Sequence, residues 1–134
     1  MKKFLILLLA AVFVVSSCSK KDVDDFEYGE NITIRVGDVV SFEDGNNLKL
    51  VKAEDNRCCC FCDCFWQGYI ALYFEARIDE SDYEFEYDLH ESFENPQPFE
   101  VYRLEVVGSD PDRDDVCNTI PVEDYKYTIV FNRL

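Results

Sequence analysis

An antiparallel β-sandwich of about seven strands is the fold this sequence predicts. Three observations predict it: apolar and polar residues alternate with period two over most of the chain beyond residue 30, turn-forming residues interrupt the alternation at short intervals, and no stretch carries an apolar stripe at helical spacing. A small β-barrel is the alternative that the same pattern allows.

The first strand is expected over 31–36, before the turn Val36-Gly37-Asp38. The second (39–43) and third (48–53) flank Asp44-Gly45-Asn46-Asn47, a hairpin signal because Asp-Gly suits a tight turn. The fourth (70–78) sets Ile70, Leu72, Phe74, Ala76 and Ile78 on one face and Ala71, Tyr73, Glu75 and Arg77 on the other. After a turn over 79–82, the fifth interleaves Tyr83, Phe85, Tyr87 and Leu89 with Glu84, Glu86 and Asp88, which makes one face acidic and solvent-facing. Asn95-Pro96-Gln97-Pro98 breaks the chain before the sixth strand (99–107), and a turn-rich stretch over 108–121 leads to the seventh (125–132). Phe74, Phe85, Tyr87, Tyr127 and Phe131 are the expected aromatic core. The Pro-containing segment 92–99 is expected to form an exposed rim.

The start of the chain reads as an address. Lys2 and Lys3 precede an apolar run over 4–15 that is too short to span a bilayer comfortably, so residues 1–17 are expected to be a removable signal peptide. Val15-Ser16-Ser17-Cys18 resembles the lipobox of bacterial lipoproteins, which implies that Cys18 is acylated and becomes the new N-terminus. Multiple acyl chains hold a protein at a membrane far more firmly than one. Residues 18–28 then form a polar, acid-rich tether that resembles the surface-export signal of Bacteroidota lipoproteins, and 29–134 are expected to form one domain. The implied location is the cell envelope, at the outer membrane, with the periplasmic and the outward face both left open and with membrane contact through the lipid anchor only.

Loss of residues 1–17 removes two lysines and no acid from a chain of net charge −15, leaving −17 over 117 residues. A field of that sign repels phosphate backbones, which argues against a nucleic-acid partner and leaves a protein or carbohydrate ligand.

With Cys18 lipidated, six cysteines remain: Cys58, Cys59, Cys60, Cys62, Cys64 and Cys117. An even number in an exported chain points to disulfides. Adjacent cysteines rarely pair, since a disulfide needs Cα atoms about 5–6 Å apart with facing Cβ atoms. Cys58 with Cys64 closes a short ring worth roughly 2 kcal/mol, and Cys117 tied to one of Cys59, Cys60 or Cys62 closes a long one worth roughly 4 kcal/mol. Both bonds are expected, with the partner of Cys117 left open.

The stretch Asp55-Asn56-Arg57-Cys58, five residues to Cys64, then Phe65-Trp66-Gln67-Gly68 resembles the signature of a group of uncharacterised bacterial lipoproteins common in Bacteroidota. Their pattern runs acidic-x-Arg-Cys-Pro, four residues, Cys, a hydrophobic residue, Trp-x-Gly. The likeness extends to Gly37, to 48–53, to the strand after Gly68 and to Asp124-Tyr125. It implies a β-sandwich-like domain in which Cys58 and Cys64 are the recurring pair, Trp66 packs beside them, and Arg57 and Gly68 are structural. It implies no biochemical activity. This chain departs from the pattern by Cys59 in the usual proline position and by carrying Cys60, Cys62 and Cys117 as well.

Sharper chemistry is weaker in the residues. Cys58, Cys59, Cys60, Cys62 and Cys64 form an alternative zinc or copper site, but they lack two C-x-x-C pairs and would have to stay reduced outside the cytoplasm. Redox catalysis lacks the βαβ context of thioredoxin-like motifs, and His90 as base to a cysteine nucleophile rests only on the presence of both residue types. Asp110, Asp112 and Asp114 alternate as Ca²⁺ ligands do, but glycine and glutamate are missing at the later loop positions. Asn31-Ile32-Thr33 matches the N-glycosylation triplet. No phosphate loop, serine elbow or zincin helix is present. The expected function is therefore a non-enzymatic, membrane-anchored binding or accessory module without a cofactor, the alternative being an extracytoplasmic thiol or Zn/Cu-binding protein.

Overall fold

Alternation decides which side of each strand meets the core. The computed structural model describes residues 25–90 and 92–134, so the signal segment, Cys18 and tether residues 19–24 lie outside the described residues. Among the described residues eight strands form: β1 (Asp25–Phe26), β2 (Asn31–Ile34), β3 (Val39–Phe42), β4 (Asn47–Asp55), β5 (Ile70–Ile78), β6 (Ser81–Leu89), β7 (Tyr102–Asp110) and β8 (Lys126–Arg133), with one 3-10 turn at Val122–Asp124. One sheet has the order β1-β3-β4-β5-β6 and the other β2-β8-β7. Every pairing is antiparallel except β1 with β3. The two sheets enclose one core, in which Leu50, Leu72 and Phe74 of the larger sheet share a cluster with Leu104, Tyr127, Ile129 and Phe131 of the smaller one. This is the predicted β-sandwich.

The run Leu48-Lys49-Leu50-Val51-Lys52-Ala53 has two consecutive outward residues, and the β4–β5 register slips there. The resulting bulge between Leu50 and Lys52 keeps Leu48, Leu50 and Ala53 all buried. The β5–β6 hairpin turns at Asp79 and Glu80, both at positive φ, as a tight two-residue hairpin requires.

The N-terminal boundary is earlier than the sequence suggested. Residues 25–28, assigned there to the tether, belong to the domain: Asp25–Phe26 pairs with β3, and Tyr28 stacks on Phe42 at 4.6 Å between ring centres. Phe26 and Tyr28 are the signal for this in an acid-rich stretch, because each gains more from burial than a tether gains from their exposure.

Asn46 is the buried polar residue of this end of the body. Its side-chain amide donates to the hydroxyls of Tyr28 (2.9 Å) and Tyr102 (3.1 Å) and to Asp44 Oδ2 (3.1 Å), while its oxygen accepts from the Asp79 backbone N–H at 2.9 Å. One side chain thus links the β3–β4 turn, the β5–β6 turn, β7 and the N-terminal segment. Burial, and after it the hydrogen bond to Asp44, hold the Tyr28 hydroxyl well above its ordinary pKa.

The segment 92–99 is a clasp: Ser92, Glu94, Pro96 and Pro98 are exposed, as expected of a rim, but Phe93, Asn95, Gln97 and Phe99 are half-buried. The Asn95 amide pairs with both backbone groups of Asp88 on β6, accepting from its N–H at 2.6 Å and donating to its carbonyl at 3.0 Å. Two residues on, the Gln97 amide does the same to Leu104 on β7, at 2.6 and 2.5 Å. β6 and β7 are the edge strands of their sheets on this side. Each primary amide therefore completes one step of an open ladder, and Pro96 and Pro98 bring no N–H donors of their own. Phe99 turns inward against Phe85 and Tyr83, both at 5.2 Å, and this inward turn is why β7 begins at Tyr102 and not at residue 99.

Replacement of Asn46 by leucine leaves Tyr28 its bond to Asp44 but takes this amide from the Tyr102 hydroxyl and from the part-buried Asp79 N–H, and it breaks the link between the two turns. Urea unfolding is expected to show a loss of about 2–3 kcal/mol with an unchanged m value.

Candidate functional site

Hydrogen bonding between β4 and β5 does not stop at their last ladder pair. Asn56 N–H donates to the Tyr69 carbonyl (2.9 Å) and Cys58 N–H to the Gln67 carbonyl (2.8 Å), so residues 56–69 are the tip of one long hairpin. Gly68 permits this closure. It sits at φ +72°, and a Cβ there would lie 2.1 Å from the Asn56 carbonyl oxygen and 2.7 Å from Arg57 Cα. No side chain fits, which is the physical reason for a glycine at this place.

Three disulfides brace the tip. Cys58 pairs with Cys64 (Cα–Cα 6.0 Å), Cys59 with Cys62 (5.2 Å) and Cys60 with Cys117 (4.9 Å). The partner of Cys117, which spacing left open, is Cys60, and that bond staples the loop 111–121 to the tip. With every sulfur of the cluster covalently paired, no thiolate is left to ligate zinc or copper, which corrects the alternative metal reading of Cys58, Cys59, Cys60, Cys62 and Cys64. Asp110, Asp112 and Asp114 do not converge either: Asp112 Oδ1 accepts from the Asp114 N–H at 2.9 Å in a local turn. Among the described residues no group of three or more His, Cys, Asp or Glu side chains could hold a metal ion.

Arg57 fastens the base of the tip. Its side chain is only 6% exposed, and its Nε and Nη2 donate to the two carboxylate oxygens of Asp55 at 2.8 and 2.6 Å. Nη1 reaches the carbonyls of Arg113 (2.7 Å) and Asp115 (3.4 Å) on the stapled loop, and the guanidinium lies 5.7 Å from the centre of the Tyr125 ring. A planar fork with five donors is suited to this; a lysine is not. Hydrogen bonds from Arg57 hold the Asp55 carboxyl below the usual range, and those to Asp55 raise the guanidinium further above its own.

What the tip presents outward is aromatic. Phe61 and Phe65 are fully exposed and Trp66 is 55% exposed. The Trp66 ring meets Tyr69 (5.9 Å), Phe93 (6.2 Å) and His90 (6.4 Å), so the structure sets it on an aromatic shelf at the end of β6. His90 Nδ1 accepts the Ser92 backbone N–H at 3.1 Å, and its ring lies tilted at 4.6 Å from that of Phe93. Phe61 and Phe65 were not singled out in the sequence. Their signal was the lack of period-two alternation between Asn56 and Gln67: a stretch with no inner face has nowhere to bury its rings.

Beneath the tip runs a cleft of about 580 Å³, lined among others by Arg57, Cys59, Tyr69, His90, Arg113 and Asp114. The outer face of the large sheet is acidic, with Glu75 directly opposite Glu84. There Tyr73 donates to Glu54 at 2.8 Å, which pushes the phenol up to about 12, and burial together with neighbouring Asp88 raises the Glu86 carboxyl. Such a face discourages polyanionic ligands.

Comparison of the chain with family models, with curated proteins and with solved structures gave no match. No helix among the described residues is long and apolar enough to cross a membrane.

Two consequences are measurable. Gly68→Ala must reopen the hairpin at Asn56 and Arg57, and is expected to cost at least about 3 kcal/mol in chemical unfolding. Because the folded-state pKa of Asp55 is depressed, its pairing stabilises the protein above the unfolded value of about 3.9 and is lost as pH falls through the folded value. The stability gap between wild type and Asp55→Asn should therefore be constant above about pH 5 and close below about pH 4, as read from urea midpoints across that range.

Proposed function

We propose that this chain is a lipid-anchored, non-enzymatic binding module of the bacterial cell envelope, held at the outer membrane through acylated Cys18, with the disulfide-braced tip 56–69 engaging a protein partner. One observation carries the reading: Phe61 and Phe65 stand fully exposed on a loop that three disulfides and Arg57 hold in place. Exposed phenyl rings are unfavourable in water, and a rigid loop loses little entropy on docking, so rings fixed in this way suit insertion into apolar pockets of a partner. Phenyl groups have no polar atom to satisfy, which favours a protein pocket over the hydrogen-bonding surface of a glycan. The resemblance of Val15 to Cys18 to a lipobox, and of 55–68 to the signature of a bacterial lipoprotein group, supports the anchor. The acidic sheet face supports a partner that is not a nucleic acid.

The experiment has two independent arms. Labelling cells with an alkyne fatty acid is expected to mark the wild type and not Cys18→Ser, and equal labelling of both would end the anchor reading. A photo-crosslinking residue at position 61 or 65 is expected to give one discrete protein adduct, absent when the probe replaces the solvent-facing Val39 on β3. Adducts with lipid alone, or identical adducts from all three positions, would rule out a protein-binding tip. Phe61→Ser combined with Phe65→Ser should weaken the isolated complex by about 2 kcal/mol or more without lowering Tm.

A further inference from the structure

Of the three disulfides, Cys59–Cys62 is the one whose partners are both exposed; Cys58 and Cys60, in the other two, are half-buried. It closes a C-x-x-C unit, Cys59-Cys60-Phe61-Cys62, at a sequence separation of 3, against 6 and 57 for the others. The shortest ring removes the least chain entropy from the unfolded state, so it contributes least to holding the fold together. It is also redundant as a brace. The Cys58–Cys64 bond already closes the loop around it, and Cys60–Cys117 already ties that loop to the body.

We propose that Cys59–Cys62 is an exchangeable disulfide that accepts the electron pair of an external peptide or protein dithiol while the other two bonds stay closed. This inference goes beyond the binding reading and does not depend on it. In the step, a partner thiolate attacks Cys62 Sγ to form a mixed disulfide, and the Cys59–Cys62 bond breaks with its electron pair leaving on Cys59 Sγ. Cys59 lines the cleft together with Arg57 and Arg113, and with Asp114. Cys62 is followed by Asp63, whose carboxylate disfavours a thiolate there, which is why the electron pair is assigned to Cys59 and not to Cys62. The partner's second thiolate then attacks its own sulfur in the mixed disulfide and releases Cys62. Overall the partner loses two electrons and two protons and becomes a disulfide, and Cys59 and Cys62 become thiols.

The test uses the mature protein in native glutathione buffers of stepwise lower potential, quenched with iodoacetamide and mapped by mass spectrometry. Cys59 and Cys62 are expected to be alkylated at a reductant level about tenfold below that needed for the other four cysteines, with unchanged circular dichroism and a glutathione adduct on Cys62 at intermediate potentials. Joint opening of all three bonds, earlier opening of Cys58–Cys64 or Cys60–Cys117, or no opening before denaturation would overturn the proposal; an adduct on Cys59 alone would overturn the assigned direction of attack. The double variant Cys59→Ser with Cys62→Ser should retain the wild-type Tm, and a large drop would mean that the bond is a brace after all.

Discussion

The Arg57 guanidinium is the constraint on which the open end of this sandwich depends. β-Strands satisfy their own backbone groups, but the loop over 111–121 has no ladder to join, and its carbonyls at Arg113 and Asp115 find their donor in Arg57. The same side chain closes on Asp55 at the last step of β4 and covers the ring of Tyr125 just before β8. A nearly buried cation would be costly by itself. Its bidentate carboxylate and two carbonyls offset that cost and convert it into a fixed geometry. The Cys60–Cys117 bond joins the same two segments covalently, so loop and tip are tied once by charge-assisted hydrogen bonds and once by sulfur.

Polar side chains play a comparable part elsewhere, always by standing in for a missing backbone partner. Asn46 gathers two turns and two tyrosines at one end of the body, while Asn95 and Gln97 each complete one step of an edge strand. Two long edge strands on one side of a sandwich are an invitation to pair with another chain. A clasp in which two amides alternate with two prolines blocks one step of each and turns Phe99 toward the core. The acidic pattern of β6 adds charge to the same edge.

This division of labour leaves the tip free to differ from the body. The body buries its aromatics in pairs such as Tyr102 with Phe131 and Phe74 with Phe85, whereas the tip has no second layer to cover Phe61 and Phe65. Its order comes from cross-links, from Gly68 and from Arg57, none of which requires an apolar core. A small loop braced in this way can display rings that an unbraced loop would collapse upon.

Much of the body was legible in the residues. Strict alternation in 70–78 and 83–89 determined two strands and their faces, because side-chain period in a sheet is two and a wrong register would expose a whole row of apolar groups. Parity of the cysteines and the absence of helical spacing bounded the rest. The N-terminal boundary is not legible in the residues, since two aromatics among acids form too short a pattern to mark a strand. Only the tertiary structure decided that Cys60 is the sulfur facing Cys117, that Arg57 meets two carbonyls, and that Asn95 and Gln97 each span to an edge. The physical reason is common to all of these: they join segments far apart in the chain, through backbone groups that every residue carries or through geometry that no local spacing encodes.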